Sequence, residues 1–462
     1  MALVAPGVPT RALTILLVVA ALVRLPLLLV PGYEYDMWIF REWTAAIVED
    51  GLIPAMHRPD MNYIGYAYVL GAIGWLRAAL ASVSLEQDVV LLQLMKVPGV
   101  LGDLGVAVLL YHLPAQLLPV VLAPGAPDPR PRWFRSIPLP RQLASLPADR
   151  QIGLLAAALY LFNPATLYTS GYWGQIDSLI ALAMLGCVYA LLRGHPGVAG
   201  FVLATGFLLK PQPIVLVPLL GWLAWRWFDW GGVARAAGGG VFALATGLGY
   251  FAVHGELGRI RAIYDILFET GEQISVSAMN LWWIVYRVFG DVRPGDVLTS
   301  IGPIEVTPAR LSQLFLATAV ALLVAALGWR PSRIGACLGA AFLVLCFYLL
   351  PMKMHERYLF PLFALLAPIA AIHVRWLAVY VLLSITYTLN LYALLPIPMQ
   401  PDQTSWAFGA PLDVLVSVAN MTLLVVFLGL MLAERRVARE ATARSSRPRD
   451  LDVTVPPGSH AA

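Results

Sequence analysis

The chain has 462 residues, of which 59% are hydrophobic and only 13% are charged, a composition that excludes an ordinary soluble domain. Repeated apolar runs of about 20 residues indicate an all-α polytopic membrane protein, because a helix of that length spans the hydrocarbon core of a bilayer. The net charge of +4 is spread over loops, so it reports membrane topology and not affinity for nucleic acid. The three cysteines fall inside apolar runs, without the spacing of a disulfide framework or a metal site.

The apolar runs predict about twelve transmembrane helices, since they are too long and unbroken for the strands of a barrel. The predicted spans are 11–30, 89–112, 151–169, 177–193, 197–211, 212–228, 233–253, 310–329, 334–351, 358–374, 376–395 and 412–433. The two runs on either side of Pro211 are short, so tilted or half-buried helices around a pocket are an alternative there. We predict one transmembrane domain over residues 1–433 and a polar, cytoplasmic, disordered tail over 434–462.

The loops richest in Lys and Arg give the orientation, because such loops face the cytoplasm. With the spans above, the basic loop residues all lie on one side. They are Arg130, Arg132, Arg135, Arg141, Arg150, Arg193, Arg226, Arg330, Arg333, Arg375 and Arg435. Residues 63–80 are also apolar, but counting them as a span would place the arginine-rich loop 124–150 outside. Glycines interrupt this run, so we predict an interfacial or re-entrant helix within a long first external loop.

The first external motif, YEYDMW, follows the first predicted span and contains Glu34 and Asp36. A carboxylate at this position could take a proton from an acceptor hydroxyl. The acid-x-acid spacing could also bind Mg²⁺ or Mn²⁺, although two carboxylates alone are weak evidence for a metal. A pair of solvated loop acids is the plain alternative.

The second external motif, YWGQIDS, connects two predicted spans and contains Trp173, Gln175 and Asp177. Gln175 and Asp177 could hydrogen-bond to sugar hydroxyls, and an aromatic ring offers a flat apolar face to a sugar. The structural alternatives are that Asp177 caps the next helix and that Trp173 belongs to an interfacial aromatic belt.

Two shorter motifs also lie at outer ends of predicted spans. LLKPQP carries Lys210 and Gln212, and Lys210 either faces inward and pairs with a phosphate or extends to lipid headgroups. NLWW, with Asn280 and Trp282, begins an external apolar helix. It either contacts the sugar or anchors that helix, and the sequence favours neither.

The stretch PMKMHERYLFP, residues 351–361, places Lys353, His355, Glu356 and Arg357 directly against apolar segments. Charges beside hydrocarbon are costly, so they usually mark an ion, proton or substrate site. We predict that the three basic side chains hold the phosphate of a lipid-linked sugar, and that Glu356 orients Arg357.

A further basic residue lies inside the second predicted span. Lys96 and Asp103 are seven residues apart, so they share one face of a helix. Two interpretations stay open. The residues form a polar pair inside the bundle, or Lys96, which is nearer the outside, joins the phosphate site.

Taken together, these motifs resemble the GT-C superfamily of integral-membrane glycosyltransferases, and most closely the bacterial relatives of the GPI mannosyltransferases. The resemblance rests on Asp36, the span from Lys96 to Ala107 with its Asp-Leu pair, NP followed by WGQIDS from Asn163 to Ser178, LLKPQP, NLWW and K-x-HERYLFP. It implies a GT-C-like bundle in the bacterial plasma membrane. It also implies transfer of a sugar, often mannose, from a polyprenyl-phosphate carrier at an extracytoplasmic active site, with inversion at the anomeric carbon.

The resemblance implies that Asp36 is the catalytic residue, acting as general base. Cations must offset the charge that grows on the leaving phosphate, and the predicted donor-binding group is Lys96, Lys210, Lys353, His355 and Arg357. The predicted sugar- and acceptor-binding group is Glu34, Trp173, Gln175, Asp177, Gln212, Asn280 and Trp282. The expected partners are the polyprenyl-phosphate sugar, membrane lipids and an acceptor that is a glycan, lipid or protein. Glu34 stands where a strict D-x-D motif has its first Asp, so a need for a divalent cation stays open.

The main alternative is a membrane transporter or flippase of a lipid-linked or anionic sugar. Such a protein would place charges near the bilayer midplane and broken helices in matched halves. Here the charges collect at one face and the sequence has no internal repeat, which favours the transferase. Another GT-C activity is harder to exclude, and a purely structural scaffold would not need the external cations.

Overall fold

The computed structural model describes residues 11–80, 87–118, 130–269, 273–395 and 411–445. It is mostly helical (78%), which confirms the all-α class. The helices are α1 (Arg11–Leu28), α2 (Glu34–Glu49), α3 (Leu52–Met56), α4 (Ile64–Ala79), α5 (Gln87–His112), α6 (Pro114–Leu117), α7 (Arg132–Arg135), α8 (Arg141–Ala144), α9 (Ala148–Leu161), α10 (Pro164–Thr166), α11 (Asp177–Leu192), α12 (Pro196–Leu209), α13 (Val217–Val253), α14 (Leu257–Glu269), α15 (Leu281–Phe289), α16 (Pro308–Leu327), α17 (Arg333–Leu349), α18 (Pro361–Ala370), α19 (Val374–Leu394) and α20 (Leu412–Ser445). A π-helix (Leu167–Trp173) follows α10, a 3₁₀ turn (Gln212–Leu216) precedes α13, and an antiparallel hairpin of β1 (Thr299–Ile301) and β2 (Ile304–Val306) precedes α16.

Several long apolar helices indicate a multi-pass membrane protein, but their number is smaller than predicted. Within the described ranges, six helices are long and apolar enough to cross a membrane. They are Arg11–Leu28, Asp88–Leu117, Gln212–Val253, Pro308–Leu327, Val374–Leu394 and Leu412–Arg436. The pair Ala148–Leu161 and Pro164–Trp173, bent by 50°, makes a seventh if it is one span. The prediction of about twelve spans is therefore wrong.

Most of the excess comes from apolar helices that are too short to span, and the rest from the runs 212–228 and 233–253, which count as one candidate span. Four predicted spans coincide with α11, α12, α17 and α18, which have between 10 and 17 residues, whereas a straight span needs about 20. Every residue of α18 is buried, as are most residues of α17. A helix surrounded by other helices is apolar on all sides whether or not lipid touches it. Hydropathy alone therefore overcounted the spans.

One long helix is broken as the sequence predicted. The runs 212–228 and 233–253 correspond to the 3₁₀ turn and α13, and the backbone of α13 leaves helical geometry at Asp229, where φ is 56°. The turn itself follows Pro211 and contains Pro213, whose ring cannot continue a regular helix. Lys210 and Gln212 thus stand on non-helical backbone between α12 and α13.

The predicted long first loop is folded into α2, α3 and α4. The run 63–80 forms α4, a helix of 16 residues that is not among the candidate spans. Gly71 and Gly74 let α4 approach α2 closely, since a Cβ at Gly74 would lie 2.4 Å from a methyl carbon of Val48. These two helices share a second hydrophobic cluster with residues of α3, α5, α13 and α14, and Met37 near the start of α2 is buried in it.

The arginine-rich loops and the PMKMHERYLFP stretch lie at opposite ends of the bundle. Arg333 begins α17, and its Nη1 donates to the carbonyl of Gln116 at 2.7 Å. Arg150 Nη1 contacts His112 Nδ1 at 2.7 Å at this same end. The other end of α17, at Leu349, leads directly into Pro351. A helix of this length rises roughly 25 Å, so the two groups of charges are well separated.

The predicted boundary at residue 433 falls within a helix, because α20 continues to Ser445. The rest of the predicted tail, residues 446–462, lies outside the described residues, so its disorder stays a prediction.

Candidate functional site

Asp36 lies at the centre of a cluster built from four separate parts of the chain. It stands in the first turn of α2, with 13% of its side chain exposed. Trp173 Nε1 donates to Asp36 Oδ2 at 2.8 Å, and Gln175 Nε2 donates to the same oxygen. Arg357 Nη1 is 3.9 Å from this oxygen. The carboxylate near the start of α2 therefore meets both the YWGQIDS motif and the PMKMHERYLFP stretch.

Irregular backbone brings Trp173 and Gln175 to the same carboxylate. The Asn163 side chain caps α10 by accepting from the Ala165 amide, and the chain then widens into the π-helix that ends at Trp173. Such π-helical turns are frequent at functional sites. Gly174 follows with a φ of 91°, a left-handed conformation that is unfavourable for residues with a Cβ. The predicted tight turn at Gly174 is thus confirmed.

Arg357 is surrounded by three carboxylates. Its Nη1 donates to Glu356 Oε1 at 2.7 Å, and its Nε lies 4.0 Å from Asp177 Oδ2. Burial lowers the pKa of Arg357, but the negative charges of Asp36 and Glu356 outweigh this effect, so its pKa is raised well above the ordinary value. Burial raises the pKa of Glu356, with Arg357 opposing the shift. Arg357 is therefore a permanent cation, and Glu356 orients it as predicted from the sequence.

Lys210 and Asp177 form the most buried ion pair of this cluster. Their Nζ and Oδ1 atoms are 2.6 Å apart, and the side chains are 1% and 0% exposed. Lys210 also lies 4.9 Å from the ring centroid of Tyr358. Asp177 is the first residue of α11, but its side chain makes no cap for that helix. The suggested capping role is therefore wrong, and Asp177 instead joins Lys210 to the side of Arg357.

The charges of the cluster are already paired with one another. Lys210 and Arg357 face the carboxylates of Asp36, Asp177 and Glu356. The sequence predicted basic side chains that are available to bind a phosphate. In the structure, Lys210 and Arg357 already contact carboxylates. Binding of a phosphate requires Arg357 to exchange part of its contact with the carboxylates, because an anion competes with them for the same N–H groups.

Backbone hydrogen bonds join the segment before His355 to residues 274–277, and each segment contains a residue with positive φ. Lys353 N donates to Ile274 O at 2.9 Å, and Val276 N donates to Met354 O at 3.3 Å. Lys353 and Ser277 are two of the three non-glycine residues with positive φ in the described part of the chain. Such strain tends to collect at functional sites, and here it fixes the backbone on both sides of the imidazole.

The imidazole of His355 carries no charge near neutral pH. Its side chain is 35% exposed, and Nδ1 is 4.0 Å from Glu356 Oε2. Burial and then the positive charges of Arg357 and Lys210 hold the pKa of His355 well below its ordinary value. This shift favours the neutral imidazole, and the expectation that His355 adds charge for a phosphate stays a prediction. It offers a neutral hydrogen-bonding group at the edge of the site.

Lys96 binds backbone carbonyl oxygens near the cluster. Its Nζ contacts the carbonyl oxygens of Leu27, Val30, Gly171 and Tyr172 at 3.0, 2.6, 3.1 and 3.1 Å. An ammonium has only three N–H groups, so these carbonyls leave none for a phosphate. The predicted phosphate-binding role of Lys96 is thus not supported by its position.

Lys96 and Asp103, which one of the two open interpretations made a polar pair, have different partners. Asp103 contacts Arg24 Nε at 3.1 Å, Tyr160 Oη at 2.8 Å and the Ser170 hydroxyl. Arg24 is fully buried in α1. The sequence reasoning missed it, although a lone arginine in an apolar run is a recognisable signal.

The NLWW residues anchor the start of helix α15. The Asn280 side-chain oxygen accepts from the amides of Trp282 and Trp283, and its Nδ2 donates to Tyr348 O at 3.1 Å. Trp282 Nε1 donates to Leu350 O at 2.8 Å. Of the two open interpretations, the structure thus favours anchoring over contact with a sugar. Lys353 is half-buried in the segment before His355, and Glu34 is exposed at the start of α2.

Four buried atoms of the cluster lack a hydrogen-bond partner among the described residues. They are Gln175 Oε1, Asp177 Oδ2, Gln212 Oε1 and Arg357 Nε. The amide orientations follow from their partners, because Gln175 Nε2 faces a carboxylate and Gln212 Nε2 donates to Tyr358 O at 2.6 Å. Three of these atoms are therefore acceptors, and buried polar atoms without partners are uncommon in folded proteins.

Two tyrosines near the cluster escaped the sequence reasoning. The ring centroid of Tyr33 lies 5.2 Å from that of Trp173, and its backbone N donates to Trp173 O at 3.1 Å. Tyr387 Oη donates to Arg357 O at 3.3 Å. Tyr33 is the first residue of the YEYDMW motif, and this position is the only signal that could have found it. Tyr387 lies in an apolar run far along the chain, where nothing marks it.

The ranges that the structure covers contain no group of three or more His, Cys, Asp or Glu side chains that could hold a metal ion. Glu34 and Asp36 thus have no third ligand of these types in the described structure. Comparison with known proteins gives no family, since no protein-family model matches the chain and no curated protein sequence matches it.

Proposed function

We propose that this chain is a membrane glycosyltransferase that moves a hexose from a polyprenyl-phosphate donor to an acceptor on the extracytoplasmic face. The observation that carries the proposal is the meeting of Asp36, Asp177 and Arg357, which come from distant parts of the chain, within 4.0 Å contacts at one end of the bundle. A carboxylate and a guanidinium in one partly exposed site are the two groups that this transfer needs. The arginine-rich loops at the opposite end would face the cytoplasm.

Asp36 supplies the base in the proposed reaction. The acceptor hydroxyl gives its proton to Asp36, and its oxygen forms a bond to the anomeric carbon from the face opposite the phosphate. Both hydrogen bonds to Asp36 end on Oδ2, so Oδ1 is the oxygen that they leave open for the proton. A single displacement of this kind inverts the anomeric configuration.

Arg357 stabilises the leaving group. As the bond between the anomeric carbon and the phosphate oxygen breaks, its electron pair stays on the phosphate, and the planar guanidinium can donate two parallel hydrogen bonds to it. A phosphate leaves without a protonated acid, so the neutral His355 is not required as a proton donor. The Lys210–Asp177 pair supports Arg357 from behind, because Asp177 Oδ2 lies 4.0 Å from Arg357 Nε.

The unpartnered buried atoms favour a ligand rich in hydroxyl groups. Gln175, Asp177 and Gln212 each carry an oxygen without a donor, and sugar hydroxyls supply such donors. A bare phosphate at neutral pH supplies mainly acceptors. These atoms are buried, so the sugar would enter as Arg357 moves aside from the carboxylates.

An apolar cavity offers room for the carrier lipid. It has a volume of about 440 Å³, is lined almost entirely by apolar atoms and lies between α12 and α13. Its lining includes Ile214, which lies in the turn that carries Gln212, and Val217, which directly follows that turn. A polyprenyl tail could therefore lie along these helices while its phosphate reaches the charged cluster.

The test is incubation of the purified protein, in lipid nanodiscs, with a panel of polyprenyl-phosphate sugars and candidate acceptors. We expect one donor to release free polyprenyl phosphate and form a glycosidic product, detected by mass spectrometry. Asp36→Asn is the matched control, because it removes the base and preserves the shape. No release from any donor would contradict the proposal. Movement of an intact donor across a liposome membrane would instead favour a flippase.

A further inference from the structure

The side chain of Lys96 lies where the two halves of the Asp36 environment meet. Leu27 and Val30 stand at and just beyond the C-terminal end of α1, which leads within six residues of Val30 to Asp36. Gly171 and Tyr172 lie at the C-terminal end of the π-helix, directly before Trp173. The C-terminal carbonyls of a helix carry partial negative charge and lack intrahelical partners. A single buried ammonium therefore joins two helix ends that would otherwise repel each other.

The aliphatic part of the Lys96 side chain is also closely packed, against two glycines. A Cβ at Gly32 would lie 3.2 Å from Lys96 Cε, and a Cβ at Gly174 would lie 3.1 Å from Lys96 Cγ. Both glycines have positive φ, at 89° and 91°. The turn that enters α2 and the turn that follows Trp173 thus both close around this one side chain.

These contacts act on the hydrogen bonds of Asp36. The turn at Gly32 fixes the start of α2 and therefore the position of Asp36. The end of the π-helix fixes the directions of Trp173 Nε1 and Gln175 Nε2, which both donate to Asp36. A further backbone bond, Tyr33 N to Trp173 O at 3.1 Å, ties the same two segments. We infer that Lys96 is a positioning residue whose ammonium, by holding these two helix ends together, aims Trp173 and Gln175 at the Asp36 carboxylate. The expected loss of kcat rests on the proposed function, whereas the expected displacement of Trp173 does not.

The kinetic test compares Lys96→Met with Lys96→Arg. Misplacing a base by about 1 Å costs on the order of 100-fold in rate, so Lys96→Met should lower kcat on the order of 100-fold and leave the KM for the donor unchanged. Lys96→Arg keeps a cation with several N–H groups and should recover most of kcat. Arg287→Met is the control, because it breaks the Arg287–Asp413 pair (2.5 Å) that fastens α15 to α20, away from the cluster. A rise in KM alone, or the same loss of kcat in Lys96→Met and Arg287→Met, would overturn the inference.

The structural test needs no turnover. The protein is labelled with 5-fluorotryptophan, and the ¹⁹F resonance of Trp173 is assigned from Trp173→Phe. Asp36→Asn and Lys96→Met should both shift this resonance, whereas Lys96→Arg and Arg287→Met should leave it in place. If Lys96→Met does not fold, Lys96→Gln takes its place. An unmoved Trp173 resonance in the folded neutral variant overturns the inference, even if sugar transfer is found. A shifted resonance with no transfer from any donor supports the inference and rejects only the proposed function.

Discussion

The two sides of the candidate site are built from different kinds of interaction. On one side, Asp36 accepts from two neutral donors, Trp173 and Gln175, and is partly exposed. On the other side, Lys210 and Arg357 are almost fully paired with buried carboxylates. Neutral donors fix a carboxylate without cancelling its charge, whereas a buried ion pair is costly to disturb. The comparison predicts that changes on the Asp36 side affect the reaction, and that changes on the ionic side affect stability and binding.

The largest effect is expected from Asp36→Asn. An asparagine keeps the size of the side chain but cannot accept the proton, so the rate of transfer should fall by about 10²- to 10⁴-fold. Binding of the carrier and thermal stability should change little, because Asp36 is partly exposed and Arg357 keeps its 2.7 Å contact with Glu356. Single-turnover kinetics beside a carrier-binding assay separate the two quantities. Retained turnover would remove Asp36 as the base.

Lys210→Met should act mainly on stability. It leaves Asp177 buried without its partner, and breaking a buried ion pair in this way costs about 3–5 kcal/mol. Thermal unfolding in detergent measures the loss. The double variant Lys210→Met with Asp177→Asn removes the uncompensated charge and should regain most of the stability. If the double variant is no more stable than Lys210→Met alone, the two residues are not energetically coupled.

Arg357→Lys should weaken binding of the carrier more than it slows the chemical step. A point charge replaces a planar fork, and the loss of one charge-assisted hydrogen bond costs about 1.5–3 kcal/mol. The KM for the donor should therefore rise by about tenfold or more, with a smaller fall in kcat. Initial rates over a range of donor concentrations decide this, and an unchanged KM would count against phosphate binding by Arg357.

The smallest effect concerns pH and His355. Its pKa in the folded protein is depressed by burial and by Arg357 and Lys210, so it contributes stability that is fully present above the ordinary imidazole pKa of about 6.5. That contribution is lost as the pH falls toward the folded pKa, by at most about 1.4 kcal/mol per pH unit, and by less where solvent screens the exposed part of the ring. Melting temperatures between pH 7.5 and 5.5 should fall less in His355→Gln than in the parent protein. Exposed His195→Gln is the control, and identical slopes for the parent and His355→Gln would contradict the account.

Two signals in the sequence, hydropathy and unusual polar residues, predicted different parts of the fold and of the candidate site. Hydropathy located the helices within a few residues, but it could not distinguish contact with lipid from burial in protein, so α17 and α18 were counted as spans. Unusual polar residues at the ends of apolar runs identified Asp36, Gln175, Asp177, Lys210 and Arg357, which the structure brings together. The same signal included Lys96, Asn280 and Trp282, whose side chains bind backbone carbonyls or amides. A motif shows that a polar group is needed at a position, but only three-dimensional contacts show whether a ligand or the backbone is its partner.

The ionic side shows a second limit. Five cationic side chains were predicted to hold a phosphate beside a single catalytic acid. The carboxylate of Asp177, read as a sugar ligand or a cap, instead pairs with Lys210, and Glu356 pairs with Arg357. Pairing between residues 33 positions apart depends on how α11 and α12 pack, which neither motif contains.

The anomeric configuration of the product tests the central claim most directly. With a donor of defined configuration at the phosphate linkage, NMR of the purified glycoside reports whether one displacement has occurred at the anomeric carbon. Attack assisted by Asp36 and opposite a phosphate held by Arg357 predicts a product of inverted configuration, absent with Asp36→Asn. A product of retained configuration, or equal yields with the parent protein and Asp36→Asn, would contradict it.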